Sequence, residues 1–357
     1  NSKPCLQSGN EELKEYNCEL KLHANFCNPK KVIDILRFKR QRYYKHIRHR
    51  KYGKVYLPYY DYSSEMSNFE RPIYNKDGKR MRTFFLRDVL FANKPTAGES
   101  KYFIWDRFNY GVDIHFYSHR SMLETVGKPV RKYGLLIESE SIIPEDYELF
   151  EKHKGLAKDF DLIFTYSAKL LDKYDNARFV PFCGRIFYKE DIKPDAHLSK
   201  TKNISILSSN KLMCDMHKLR YDIAHKCKRE HLADTYGTFD GGNFVNIVDT
   251  LNDYRYTICI ENDIKPYFFT ERITTAFATG TIPIYYGATE IDKFFNPDGI
   301  IKFNKNDDIS KILKQCTKEE YERRMPAILD NMQRVQEYFS CSDYMAEHYL
   351  TDICDVN

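Results

Sequence analysis

Between two apolar runs, Tyr256–Ile260 and Ile282–Tyr286, the chain places Glu261, Asn262, Thr270, Glu271 and Arg272. Thr270 has the hydroxyl of a helix N-cap, and Gly280 suits the position just past a helix end. The helix they bracket, Glu271 to Thr279, starts close to where the first run stops. A helix N-terminus at the carboxyl end of a strand favours anions. Arg272 adds a permanent charge and a planar fork matched to phosphate. Glu271 can accept from two ribose hydroxyls, and Asn262 both donates and accepts. This set suits a sugar nucleotide. The same residues also fit a plainer role, with Glu271 complementing the helix dipole and Arg272 solvated.

Two further clusters share the design of polar residues directly after an apolar run. In "SSNKLMCDMHKLRYD" a Ser-Ser-Asn loop ending at Asn210 precedes Arg220, which lies in a segment of helical spacing. This is a second phosphate-facing arrangement, or a surface arginine. In "IESES" Glu138 and Glu140 stand two apart, so an extended chain points both the same way. A carboxylate there is a candidate general base, or a solvated loop group; inverting glycosyl transfer needs one base for the acceptor hydroxyl. No G-x-G-x-x-G or Walker loop is present, so dinucleotide and ATP readings lack their phosphate cradle. Neither His115 with His119 nor His217 with His225 has a spacing or companions that complete a metal site. No metal and no cofactor is expected.

The elements that position these residues alternate. Strand-like runs at 101–105, 112–117, 133–141, 160–167 and 177–182 are followed, after about residue 195, by a second series at 203–210, 231–237, 256–260, 282–287 and 299–303. Helical spacing lies between them at 216–227 and 244–253, and from Glu319 onward with Pro326 near an early turn. Alternation of this kind predicts an α/β chain with parallel sheets and crossover helices. Two series predict two Rossmann-like domains facing across a cleft, with ligands beyond the carboxyl ends of the strands. Boundaries are expected at 1–195 and 196–340, with a tail, 341–357, packing back on the first domain.

Composition bounds the function class. The 357 residues are 42% hydrophobic and 30% charged with a formal net charge of +5, which excludes a disordered chain. That charge suits anionic ligands without demanding nucleic acid. From Lys30 to Lys54 only Asp34 opposes a dense run of Lys and Arg, with Tyr43, Tyr44 and Tyr52 interleaved. This run supports a nucleic-acid-binding alternative, or a weak contact with an anionic glycan or membrane surface; a solvated helix face is the simpler reading. Among ten cysteines no C-x-x-C occurs. Cys183, Cys227 and Cys259 are expected as buried thiols. In an oxidising compartment Cys5, Cys18 and Cys27, or Cys341 and Cys354, have the opportunity to pair. No run approaches the roughly 18 apolar residues of a membrane helix, and no signal peptide is evident, so a soluble chain is expected. It would be cytoplasmic, or a Golgi-type lumenal domain from which an anchor has been removed.

The stretch "ICIENDIKPYFFTERITTAFATGTIPIYYG" resembles the signature of the α1,3-fucosyltransferase family through Glu261, Asn262, Thr270, Glu271, Pro283 and Gly287. "SSNKLMCDMHKLRY" is similar to the family's Ser-Asn and Arg segment through Asn210 and Arg220. "GLLIESES" with Pro144 resembles its Asn-Phe-Glu-Ser segment, placing Glu138 at the base. "FDLIFTYSAK" and "FVPF" resemble the segment next to it in the family. The likeness runs over about residues 130–305, in order. It implies a GT-B fold and inverting transfer of L-fucose from GDP-β-L-fucose to a glycan or glycoconjugate, giving an α1,3-type linkage without a metal; a GT-B transferase using another nucleotide sugar is the alternative. It further implies that Glu138 takes the acceptor proton, with Glu140 the alternative, and that Arg220 and Arg272 neutralise the diphosphate. Asn210, Glu261, Asn262, Phe268, Thr270 and Glu271 complete the donor site. Four positions differ from the family pattern: Arg272 replaces a lysine, Tyr267–Phe268 replaces Asp-Tyr, and Ser167 replaces an arginine after Tyr166.

Overall fold

The computed structural model describes residues 81–88, 97–107, 111–125, 129–182 and 191–354, with residues 78 and 90. The basic stretch 30–54 and Cys5, Cys18, Cys27 and Cys183 lie outside the described residues. A six-stranded sheet has the order β2-β1-β3-β4-β5-β6, and a five-stranded sheet the order β11-β10-β9-β7-β8. The first comprises β1 Arg82–Arg87, β2 Phe103–Asp106, β3 Ile114–Ser118, β4 Arg131–Leu136, β5 Leu162–Thr165 and β6 Ala177–Phe179. The second comprises β7 Lys202–Leu207, β8 Asp234–Tyr236, β9 Tyr254–Ile260, β10 Ile282–Tyr286 and β11 Ile301–Lys302. The pairs β1–β3, β3–β4, β7–β8, β7–β9, β9–β10 and β10–β11 are all parallel.

The chain is thus α/β, as its alternation predicts. Both sheets follow the doubly wound order in which the chain steps outward, returns past its first strand and continues the other way. The reversal lies between β1 and β3 in one sheet and between β7 and β9 in the other. At such a point the crossover connections leave to opposite faces, so a crevice opens at the carboxyl ends of the two strands.

The chain packs as two units. One gathers the described residues up to 90 with those of 104–135 and 148–163. The other gathers 97–103, 136–147 and the described residues from 164 to 354. In the first unit Phe84, Trp105 and Phe116 are buried. Trp105 meets Phe116 edge-on at 4.8 Å. In the second, β9 is central and buried along nearly its whole length, which explains its unbroken apolar text. The helices are α1 Pro144–Tyr147, α2 Leu149–Lys152, α3 Ala168–Lys173, α4 Asp215–Glu230, α5 Glu271–Ala278, α6 Ile309–Gln315, α7 Lys318–Arg323, α8 Met325–Arg334 and α9 Cys341–Tyr349. Pro326 sits in the first turn of α8, where its missing N–H costs nothing. The tail helix α9 lies on residues 97–101: Ser342 Oγ donates to Gly98 O at 2.8 Å, and Asp343 accepts from Ser100 Oγ at 2.8 Å.

Some expectations give way. The helix expected over 244–253 is a single 3₁₀ turn, Ile247–Thr250, capped by Asn246, whose side chain accepts from Val248 N. Strand β1 has no counterpart among the runs expected from the sequence. Cys341 and Cys354 are separate buried thiols, and Cys227 and Cys259 are buried as expected. Among the described residues no helix is long and apolar enough to cross a membrane.

Candidate functional site

Helix α5 is buried from Ile273 to Ala278. Phe277 packs on Phe295 with centroids 4.5 Å apart. Only Glu271 and Arg272, at its first turn, are partly exposed. Gly280, at φ +67°, provides the left-handed residue that ends the helix, and Gly280 N donates to Phe277 O at 2.9 Å. The helix is therefore fixed by its apolar body, and its N-terminus is the end that meets solvent.

Glu261 directly follows β9 and is fully buried. Its Oε1 accepts from Thr270 N at 2.9 Å and its Oε2 from Thr270 Oγ1 at 2.7 Å. Arg272 Nη1 donates to Thr270 Oγ1 at 3.1 Å and lies 3.5 Å from Glu261 Oε2 and 3.8 Å from Glu271 Oε1. Thr270 Oγ1 also accepts from Arg272 N, so Thr270 is the N-cap. Burial pushes the Glu261 carboxyl above the usual carboxylate range, against the pull of Arg272 and Thr270. Burial acts to lower the Arg272 pKa, but Glu271 and Glu261, with a contribution from Glu138, leave it above the ordinary arginine value. A Cβ on Gly287 would meet Glu261 Cγ at 2.5 Å, so the glycine of "IPIYYG" makes room for this carboxylate.

The connection after β7 meets the one after β9 across the reversal point. Arg220, on α4, is buried; its Nη1 donates to Ile260 O at 2.6 Å, and both terminal nitrogens reach Asn262 Oδ1 at 3.3 Å. Burial, then repulsion from Arg272, pushes the Arg220 pKa down to about 9. Sequence reasoning missed His217. Met213 N donates to its Nδ1 at 3.3 Å, so the proton lies on Nε2, which donates to Asn262 Oδ1 at 2.9 Å. Burial, then Arg220, pushes His217 down to about 4. One turn before Arg220, it shares that residue's helix face, and this spacing was the available signal.

Asn210 stands on the exposed part of the β7–α4 loop, and its N donates to Thr238 Oγ1 at 3.3 Å. Phe268 is a correction: it is fully buried, packed on Tyr166 at 4.7 Å, and presents no surface to a ligand. The ring replaces the expected tyrosine at a place where a hydroxyl would have to be desolvated.

Glu138 and Glu140 follow β4. Glu138 Oε1 accepts from Ser139 N at 2.8 Å, and its carbonyl accepts from Tyr147 Oη. Glu140 Oε2 pairs with Lys265 Nζ at 2.9 Å, and Glu140 N donates to Tyr166 Oη at 2.8 Å. The two carboxylates, equivalent in the sequence, are thus distinct: Glu140 is held by a lysine, and Glu138 contributes to the field at Arg272. Asp263, Lys265 and Tyr166, which support this loop, were not singled out in the sequence. Among the described residues no group of three or more His, Cys, Asp or Glu is placed to hold a metal ion.

The site thus presents Arg272 and a helix N-terminus at a strand reversal, with the buried Arg220 charge behind Asn262, which suits a diphosphate carrying a sugar. Residues 197–340 match the sequence model of "Glycosyltransferase family 10 (fucosyltransferase) C-term". A segment of 61 residues is 36% identical to the alpha-(1,3)-fucosyltransferase FucT of Helicobacter pylori; the match spans 17% of this chain and 13% of that protein. A crystal structure of an alpha1,3-fucosyltransferase is similar at TM-score 0.48 and 15% identity, covering 80% of this chain and 94% of that one. An alpha1,3-fucosyltransferase with GDP-fucose is similar at TM-score 0.41 and 14% identity, covering 72% and 89%.

Proposed function

We propose that this chain transfers L-fucose from GDP-β-L-fucose to a hydroxyl of a glycan acceptor with inversion, giving an α1,3-type linkage. The observation that carries the reading is the paired Arg220 and Arg272, fixed through Asn262 and Glu261 beside the N-terminus of α5. The family match over 197–340 supports fucose as the sugar.

In this reading the diphosphate lies against Arg272 and the α5 N-terminus, with Arg220 behind Asn262. Asn262 engages its oxygen with Arg220 and His217, so its Nδ2 serves the donor. Glu271 accepts from ribose or fucose hydroxyls. The acceptor oxygen attacks the anomeric carbon from the face opposite the diphosphate. Its proton passes to Glu138, the bond from the anomeric carbon to the β-phosphate oxygen breaks, and GDP leaves with the bonding electrons. The arginines stabilise the charge that gathers on GDP, and no metal is assigned a role. The base role is given to Glu138, the position that the family resemblance implies, with Glu140, whose carboxylate pairs with Lys265, as the alternative.

The test is mass-spectrometric detection of fucosylated product from GDP-fucose and a panel of glycans, with Glu138→Gln beside the parent. The variant is expected to bind GDP normally and to lose about 100- to 10,000-fold in turnover, the usual worth of a general base. Full turnover in Glu138→Gln would move the base to Glu140.

A further inference from the structure

The loop that carries Glu138 is tied to the loop that carries Asn262. Asp263, third residue of the "END" run, is 4% exposed. Its Oδ2 accepts from Ser141 N at 3.1 Å, while its Oδ1 closes its own turn by accepting from Ile264 N at 2.9 Å. Two neighbours reinforce the tie: the Lys265–Glu140 ion pair at 2.9 Å and the packing of Tyr166 on Phe268. Tyr166 Oη in turn receives Glu140 N. Residues 138–141 are therefore held from two sides, by Tyr147 at the end of α1 and Tyr166 just after β5, and by Asp263 and Lys265 from the connection after β9.

We propose that Asp263 is a positioning residue for Glu138: it fixes the base loop against the donor loop, so that the base is aligned with the anomeric carbon of the bound donor. This rests on the reading of Glu138 as the base. Asp263 itself has no part in holding GDP. Its two oxygens each take a backbone N–H, and as an acceptor-only anion it has no donor to offer a diphosphate.

The experiment compares Asp263→Ala and Asp263→Asn with the parent in three measurements: GDP affinity by calorimetry, turnover of GDP-fucose, and hydrogen exchange of the amides of residues 139–143. Asp263→Ala is expected to bind GDP within about threefold of the parent. Its turnover falls at least about 30-fold, within the range for a misplaced catalytic group, and the Ser141 amide exchanges faster. Asp263→Asn, whose single oxygen can accept from only one of Ser141 N and Ile264 N, is expected to fall between the parent and Asp263→Ala in turnover. A parallel loss of GDP affinity and turnover, or unchanged turnover in Asp263→Ala, would overturn the proposal. So would an unchanged Ser141 exchange rate, a result that can be read even if the parent transfers no fucose. Failure of the parent to use GDP-fucose would overturn the functional reading, and with it the assigned role of Asp263.

Discussion

The two sheets share one strand order, so the molecule contains two reversal points, and they are built differently. Between β7 and β9 the polar groups grade from buried to exposed: Glu261, Arg220 and His217 are inside, Glu271 and Arg272 are partly exposed, and Asn210 is in solvent. Between β1 and β3 the polar groups close on one another. Asp88 accepts from Ser118 Oγ at 3.0 Å and lies 3.7 Å from Arg107 Nη2, and all three are buried. Arg87 pairs with Glu124 at 2.9 Å beside them. One reversal point presents charge outward from a buried support, whereas the other consumes its charge internally. The same topology therefore does not make the same site; what matters is whether the charged groups at the strand ends balance among themselves.

That contrast can be broken at either end. The largest effect is expected from Asp88→Ala, which removes the buried carboxylate that Ser118 and Arg107 face. The loss should be about 3–5 kcal/mol of unfolding free energy, read by urea denaturation, with GDP affinity of the folded fraction unchanged. A fully stable Asp88→Ala that fails to transfer would show that the β1/β3 point also serves ligands.

A smaller effect is expected from acid. His217 titrates at about 4 when folded, below the ordinary histidine value. The unfolded chain therefore binds the proton first, and stability present above about pH 6.5 is lost as pH falls toward 4. The contribution is about 2–3 kcal/mol, and urea midpoints across that window should flatten in His217→Gln. An unflattened profile would place the acid sensitivity elsewhere.

The smallest effect on folding is expected at the exposed end. Asn210→Ala should stay within about 0.5 kcal/mol of the parent in stability while weakening GDP by a few-fold. Equal affinity would remove the β7–α4 loop from the donor site.

The sequence shows the fold through its alternation, and the second sheet is the clearer because β9 and β10 are buried on both faces and read as unbroken apolar runs. Strand β1 escaped notice because basic residues flank three apolar ones, too short a run to show a period. The candidate site was legible where chemistry forces residue type, as at the Thr270 cap, and where the family resemblance marked Gly287. It was not legible where a side chain serves a partner distant in sequence. Nothing local shows that Asp263 receives Ser141 N, that Phe268 turns into Tyr166, or that Glu140 rather than Glu138 meets Lys265.

The most direct test of the central claim is calorimetric titration of the parent and of Arg220→Met with GDP and with UDP. The fucose-donor reading, supported by the family match over residues 197–340, predicts that the parent binds GDP in preference to UDP. It also predicts that Arg220→Met, which removes the charge behind Asn262 and releases Asn262 Oδ1, loses about 10-fold in GDP affinity, about 1.4 kcal/mol. Tight binding of UDP without GDP would contradict the fucose donor, and GDP affinity unchanged in Arg220→Met would contradict the site.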